Sequence, residues 1–93
     1  MALKAKHIVV HGRVQGVGFR YFVQNVGTRL GLAGNVRNTA DGSVEIDVEG
    51  EPRSLAVFIK EVEKGPSMAR VTRMDIQDTP ATGYYSSFQI EGW

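Results

Sequence analysis

The sequence predicts an α+β sandwich, with two helices laid on one face of an antiparallel sheet, and three observations predict it. Apolar residues alternate with polar ones along several short segments, they recur at helical spacing along two others, and an Asp41-Gly42 turn joins two of the alternating runs. In chain order the elements read strand, helix, strand, strand, helix, strand and a short terminal piece.

The first strand covers Lys6 to His11, with Ile8 and Val10 on one face and His7, Val9 and His11 on the other. Gly12, Gly16 and Gly18 follow. Phe19, Phe22, Val23, Val26 and Leu30 then take helical spacing, and Gly31 suits the left-handed position just past a helix end. A second strand, from about Gly34 to Thr39, passes through Ala40-Asp41-Gly42 into a third, where Val44, Ile46 and Val48 alternate with Glu45, Asp47 and Glu49. Pro52 fits a first helical turn, Leu55, Phe58, Ile59 and Val62 continue it, and Gly65-Pro66 stops it. Val71 to Gln77 is rich in β-branched residues and reads as a fourth strand. Asp78 to Ser87, with Pro80 and Gly83, reads as a loop, and Phe88-Gln89-Ile90 as a short edge strand.

Two right-handed strand-helix-strand crossovers joined by a hairpin interleave most simply in the sheet order 4-1-3-2 with both helices on one face, the ferredoxin-like βαββαβ arrangement with a short extra C-terminal strand. In that order the first two strands point the same way. They are separated by strand three alone, so their axes lie roughly 10 Å apart at about 4.8 Å per strand. The loop after the first strand and the end of the second therefore share one edge.

A chain of 93 residues suits a single domain spanning 1–93. It contains no cysteine, which excludes disulfides, thiolate nucleophiles and cysteine-bound metal clusters. No segment reaches the roughly 20 apolar residues of a membrane span. Met1-Ala2-Leu3-Lys4 runs straight into the first strand without room for an apolar signal segment, so a cytoplasmic location is expected. Eleven basic and ten acidic residues, mixed along the chain, leave a net charge of +1 and no general field for nucleic acid. Any affinity for an anion must be local.

The segment Gly12-Arg13-Val14-Gln15-Gly16-Val17-Gly18-Phe19-Arg20 is where such affinity would arise. Glycines allow positive φ and let backbone N–H groups converge, and the helix that follows adds unpaired donors and a partial positive charge. Arg20, at the helix start, would complete a phosphate cradle. A tight turn that needs glycine for sterics alone is the competing reading, as is a solvated Arg20. Asn38 could be a simple turn former, but the topology brings it beside the loop. The Walker A pattern and the dinucleotide fingerprint are both missing, so a small phosphate suits the loop better than a nucleotide.

Other residues carry less. His7 and His11 lack metal-ligand company and read as surface strand residues, with no metal site expected. Ser67, Ser86 and Ser87 have no His and Asp partners for a hydrolytic triad. Glu45, Asp47 and Glu49 read as the solvated face of a hairpin strand. Phe19, Tyr21 and Phe22 open a helix that points mostly into the core, unlike the base-stacking aromatics on a strand of RNA-recognition domains.

The nine-residue glycine segment, followed by Gly34-Asn35-Val36-Arg37-Asn38-Thr39-Ala40-Asp41-Gly42-Ser43-Val44-Glu45, closely resembles the two motifs of the acylphosphatase family. Gly65-Pro66, Ala69-Arg70-Val71 and Phe88-Gln89-Ile90 extend the similarity over essentially the whole chain. Asn35 departs from the pattern, standing where many members carry an aromatic residue. The resemblance implies hydrolysis of acyl phosphates to a carboxylate and inorganic phosphate, without metal, cofactor or covalent intermediate. It implies that Arg20 binds the phosphate, that Asn38 positions the attacking water, and that Gln15, Gly16, Val17, Gly18 and Phe19 supply backbone donors. The expected partners are an acyl phosphate substrate and competing phosphate or sulfate, with a monomeric chain that engages neither nucleic acid nor membrane. The alternative is a non-catalytic ferredoxin-like module that binds an anion, RNA or a protein.

Overall fold

A computed structural model describes residues 3–92 and contains seven elements: β1 (Lys4–Arg13), α1 (Phe19–Arg29), β2 (Ala33–Asn38), β3 (Val44–Gly50), α2 (Pro52–Lys64), β4 (Arg70–Thr79) and β5 (Phe88–Glu91). Met1, Ala2 and Trp93 lie outside the described residues. The strands form one sheet in the order β4-β1-β3-β2-β5. The predicted 4-1-3-2 core is thus present, and β5 extends it by pairing parallel to β2, Gly34 against Phe88 through Arg37 against Glu91. The other three pairings are antiparallel.

Helices form where apolar spacing and stop signals agree. Phe19, Val23 and Val26 are the buried stripe of α1, and Leu55, Phe58 and Val62 that of α2, which begins with Pro52 in its first turn and ends at Gly65 with φ +69°. These side chains meet Ile8, Val10, Val36, Val44, Ile46 and Val48 from the covered face of the sheet in one core. Phe88 closes it, with its ring centroid 5.8 Å from that of Phe58.

Three local expectations change. Strand β4 runs on through Asp78 and Thr79, which the sequence reading assigned to a loop, because Asp78 pairs with Lys6 across the ladder and Thr79 opposes Ala5. Gly12 belongs to β1 and not to the anion loop. It sits at an irregularity in the β1–β4 register with φ +127°, where an added Cβ would lie 2.1 Å from the Arg70 carbonyl oxygen.

The acidic residues of β3 are the third change, since they are not a solvated row. Glu49 is buried, with 6% of its surface exposed. Its carboxylate accepts from the N–H and hydroxyl of Thr82 (3.0 and 2.8 Å) and from the N–H of Gly83 (3.0 Å), which straps the segment after β4 across the open sheet face. Burial opposes its charge, but these three donors more than offset that and hold the carboxyl below the usual range.

The Phe88 ring ties β5 to both helices, packing against Phe58 and lying over Gly27 of α1. Phe88→Ala is expected to lower stability by about 3–5 kcal/mol in urea unfolding. A loss below about 1 kcal/mol would mean that β5 docks without this ring.

Candidate active site

Strand β1 leads into a loop whose ends are pinned in the core by Val14 and Phe19, each 1% exposed. Between them Gly16 and Gly18 take φ +74° and +75°, and a Cβ added at either would meet nothing within 4 Å. The two glycines therefore serve backbone conformation and not close packing. Gly18 is the N-cap of α1, without a side-chain capping bond, and the first turn carries no acidic residue. None of the hydrogen bonds among the described residues occupies the backbone N–H of Gln15, Gly16, Val17, Gly18, Phe19 or Arg20. A run of free donors at a helix N-terminus is an electropositive cradle.

Arg20 and Asn38 both face this cradle. With Val14, Gly16, Gly18, Phe19 and Tyr21 they line a cleft of about 100 Å³. Both also line a second space of about 150 Å³ with Arg37, Glu91 and Gly92. Arg20 Nη1 lies 3.4 Å from the Glu91 carbonyl oxygen, a long bond that leaves the guanidinium largely unclaimed. Asn38 ends β2 on the same sheet face as Val36. Its side-chain oxygen is buried and has no hydrogen-bond partner. An unmet buried acceptor costs roughly 1–3 kcal/mol, so this oxygen, without a partner inside the protein, is open to a donor from outside the chain.

The structure thus brings Gly16, Gly18, Phe19, Arg20 and Asn38 to one cleft, while the half-buried Val17 packs partly against the core. Gln15 differs from the expectation of a purely backbone role. Its side-chain amide donates to the carbonyl oxygens of Thr39 (2.8 Å) and Ser43 (2.9 Å). Of the aromatics at the start of α1, Phe19 is core, Phe22 is half-buried, and Tyr21 is 66% exposed.

Arg37, which lines the second space, has no role in the sequence analysis. Its guanidinium is bound on the open face by Glu45 (2.9 Å), Asp47 (3.1 Å) and Asn35 (2.9 Å). Burial acts against its charge, but the Asp47 bond and the fields of Glu45 and Asp47 prevail and raise its pKa. The signal was available in the hairpin register, which sets Arg37 directly opposite Glu45. His7 lies between the same two carboxylates, 2.7 Å from Asp47 and 3.2 Å from Glu45, and His11 is 2.9 Å from Asp75.

The β2–β3 turn next to Asn38 is internally bonded. The Asp41 carboxylate accepts from the hydroxyl groups of Thr39 and Ser43 and from the Ser43 N–H, and Thr39 N–H donates to the Ser43 carbonyl oxygen at 3.0 Å. These bonds, those from Thr39 and Ser43 foremost, lower the Asp41 pKa from 3.8 to about 2.

Fold and cleft together define a small ferredoxin-like domain with an electropositive cleft at the N-terminus of α1. A family model described as Acylphosphatase matches residues 6–90. An acylphosphatase of Bacillus pumilus is 46% identical over 86 residues, covering 92% of this chain and 96% of the relative. One from Thermotoga petrophila is 49% identical, covering 88% and 91%. The crystal structure of acylphosphatase from Bacillus subtilis superimposes with a TM-score of 0.92 at 40% identity, covering 98% of this chain and all of that one. The chain belongs to the acylphosphatase family, and family and fold together support a hydrolase acting on acyl phosphates.

A carboxyl whose pKa is lowered on folding supports the folded turn fully above its unfolded value, and that support is lost as pH falls through the folded value. In a carbon-13 titration the Asp41 carboxyl should therefore show a midpoint near 2, with the Ser43 amide signal shifting together with it. A midpoint at the free value of 3.8 would remove these hydrogen bonds from the turn.

Proposed function

We propose that this domain hydrolyses the carboxyl-phosphate bond of acyl phosphates by direct attack of water on a phosphoryl group held by Arg20 and by the N–H donors of Gln15, Gly16, Val17, Gly18 and Phe19, with Asn38 positioning the water. The observation that carries this reading is the buried, unpartnered oxygen of Asn38 in a cleft it shares with Arg20. An acceptor so placed takes a hydrogen bond from water and turns a lone pair towards phosphorus.

An acyl phosphate suits such a site because its leaving group is a carboxylate. No strong general acid is needed to expel it, and catalysis reduces to orienting water and stabilising charge on the equatorial oxygens. Arg20 and the first turn of α1 supply that charge stabilisation. As the water oxygen bonds to phosphorus, the bond from phosphorus to the acyl oxygen breaks. The carboxylate departs with the bonding pair, and the water proton ends on the phosphate. Asn38 is a poor base, so the substrate phosphoryl oxygens accept this proton in our scheme. A rate that follows substrate ionisation, and not the titration of a protein group, is the corresponding pH profile.

The working unit in this reading is a monomer, with residues 1–93 as one acylphosphatase-like domain. Inorganic phosphate and sulfate fit the same donors and act as competitors. The cytoplasm is the compartment this reading assigns.

Hydrolysis of benzoyl phosphate by the purified protein is expected to persist in excess EDTA. Arg20→Gln should lower kcat/KM by at least about 10²–10³-fold, the scale for losing a preorganised donor. Asn38→Ala should lower kcat by on the order of 10²-fold with KM nearly unchanged. Full rate in Asn38→Ala, or an absolute need for metal, would overturn these roles.

A further inference from the structure

The sheet stops holding the two halves of the cleft together before the cleft is reached. Val44 is the last rung on both sides of β3: it opposes Val10 of β1 and Asn38 of β2. Beyond Val10, β1 continues to Arg13 with β4 as its only ladder partner. From there the chain enters the anion loop, while the other branch enters the β2–β3 turn.

One side chain bridges this split. The Gln15 amide group donates one bond to the Thr39 carbonyl oxygen at 2.8 Å and one to the Ser43 carbonyl oxygen at 2.9 Å. Thr39 directly follows Asn38 and Ser43 directly precedes Val44, so both ends of the turn are gripped by a single group. Among the described residues these are the only side-chain hydrogen bonds between the loop of residues 14–18 and the hairpin. On the loop side Gln15 precedes Gly16, whose φ of +74° sets the direction of the following N–H groups.

Resting on the catalytic reading above, we infer that Gln15 is a positioning residue whose side chain sets the distance between the phosphate cradle and Asn38. That side chain touches neither the phosphate nor the water; only the backbone N–H of Gln15 belongs to the cradle. The amide is suited to this task because its NH2 group carries two donors in one plane, which matches two carbonyl oxygens side by side. A shift on the order of 1 Å between water and phosphorus changes rate by about 10²-fold. The cradle alone, which binds phosphate, does not depend on where Asn38 stands.

The test is Gln15→Met, which keeps length and shape and removes both donors. For hydrolysis of benzoyl phosphate, kcat is expected to fall about 10- to 100-fold. The inhibition constant of inorganic phosphate should change by less than about 3-fold, and the Asn38 side-chain amide signals in the nitrogen-15 spectrum should shift or broaden. A kcat within about 2-fold of the parent would overturn the inference, and so would a phosphate constant that weakens in step with kcat, which would make the Gln15 side chain a direct ligand.

The unmodified protein supplies a measurement independent of turnover and of the variant's folding. Both Gln15 side-chain amide protons should exchange with solvent more slowly than those of an exposed glutamine, and exchange at the exposed rate would also overturn the clamp. A parent protein inactive on acyl phosphates would sink the catalytic reading, while this exchange measurement would still decide the clamp.

Discussion

Strands β1 and β2 run in the same direction because β3 lies antiparallel between them, and everything at the functional end of the molecule depends on that constraint. Each of the two strands delivers its C-terminal end to the same edge. The first releases a glycine loop and a helix N-terminus there, and the second delivers an asparagine. Neither element could build the cleft alone. The loop brings free N–H donors, and β2 brings the buried acceptor of Asn38.

Charge is sorted between the faces in a way that protects this edge. The carboxylates of β3 lie on the open side of the sheet, where Arg37 and His7 engage Glu45 and Asp47 and the Thr82-Gly83 segment engages Glu49. None of those three carboxylates lines the cleft that contains Gly16, Gly18, Arg20 and Asn38. With a net charge of only +1, the molecule has no broad positive field to draw in a phosphate. Positive potential is local instead, since the absence of acidic residues from the first turn of α1 leaves the helix dipole uncompensated. Arg20 adds a full charge at the same place, against the ordinary preference of helix starts. A sequence departs from local preference most often where a site demands it.

Much of the fold was legible because its signals are local. Alternation marks β1 and β3, helical spacing with Pro52 and Gly65 marks α2, and Asp41-Gly42 marks the hairpin. The errors fall where pairing partners decide. Asp78 and Thr79 look like loop residues until Lys6 and Ala5 are placed opposite them. Glu49 looks solvated until the Thr82-Gly83 segment folds over it. Gly12 looks like part of an anion loop until the Arg70 carbonyl is seen to leave no room for a Cβ. In each case the deciding neighbour is tens of residues away, and no window along the chain contains it.

By itself, the sequence determined the order of elements, the glycine loop before α1, the placement of Arg20 at a helix start and, through its two motifs, the acylphosphatase resemblance. Backbone preference and apolar periodicity act over a few residues and can be read directly. Only the tertiary structure decided that the Asn38 oxygen is buried without a partner in the protein, that β5 docks parallel to β2 beside the cleft, and that the Gln15 side chain bonds to both ends of the hairpin turn. Those facts depend on which donors and acceptors meet across the sheet. Hydrogen bonds reach about 3 Å in space regardless of separation along the chain, so they exist only once the strands are in register.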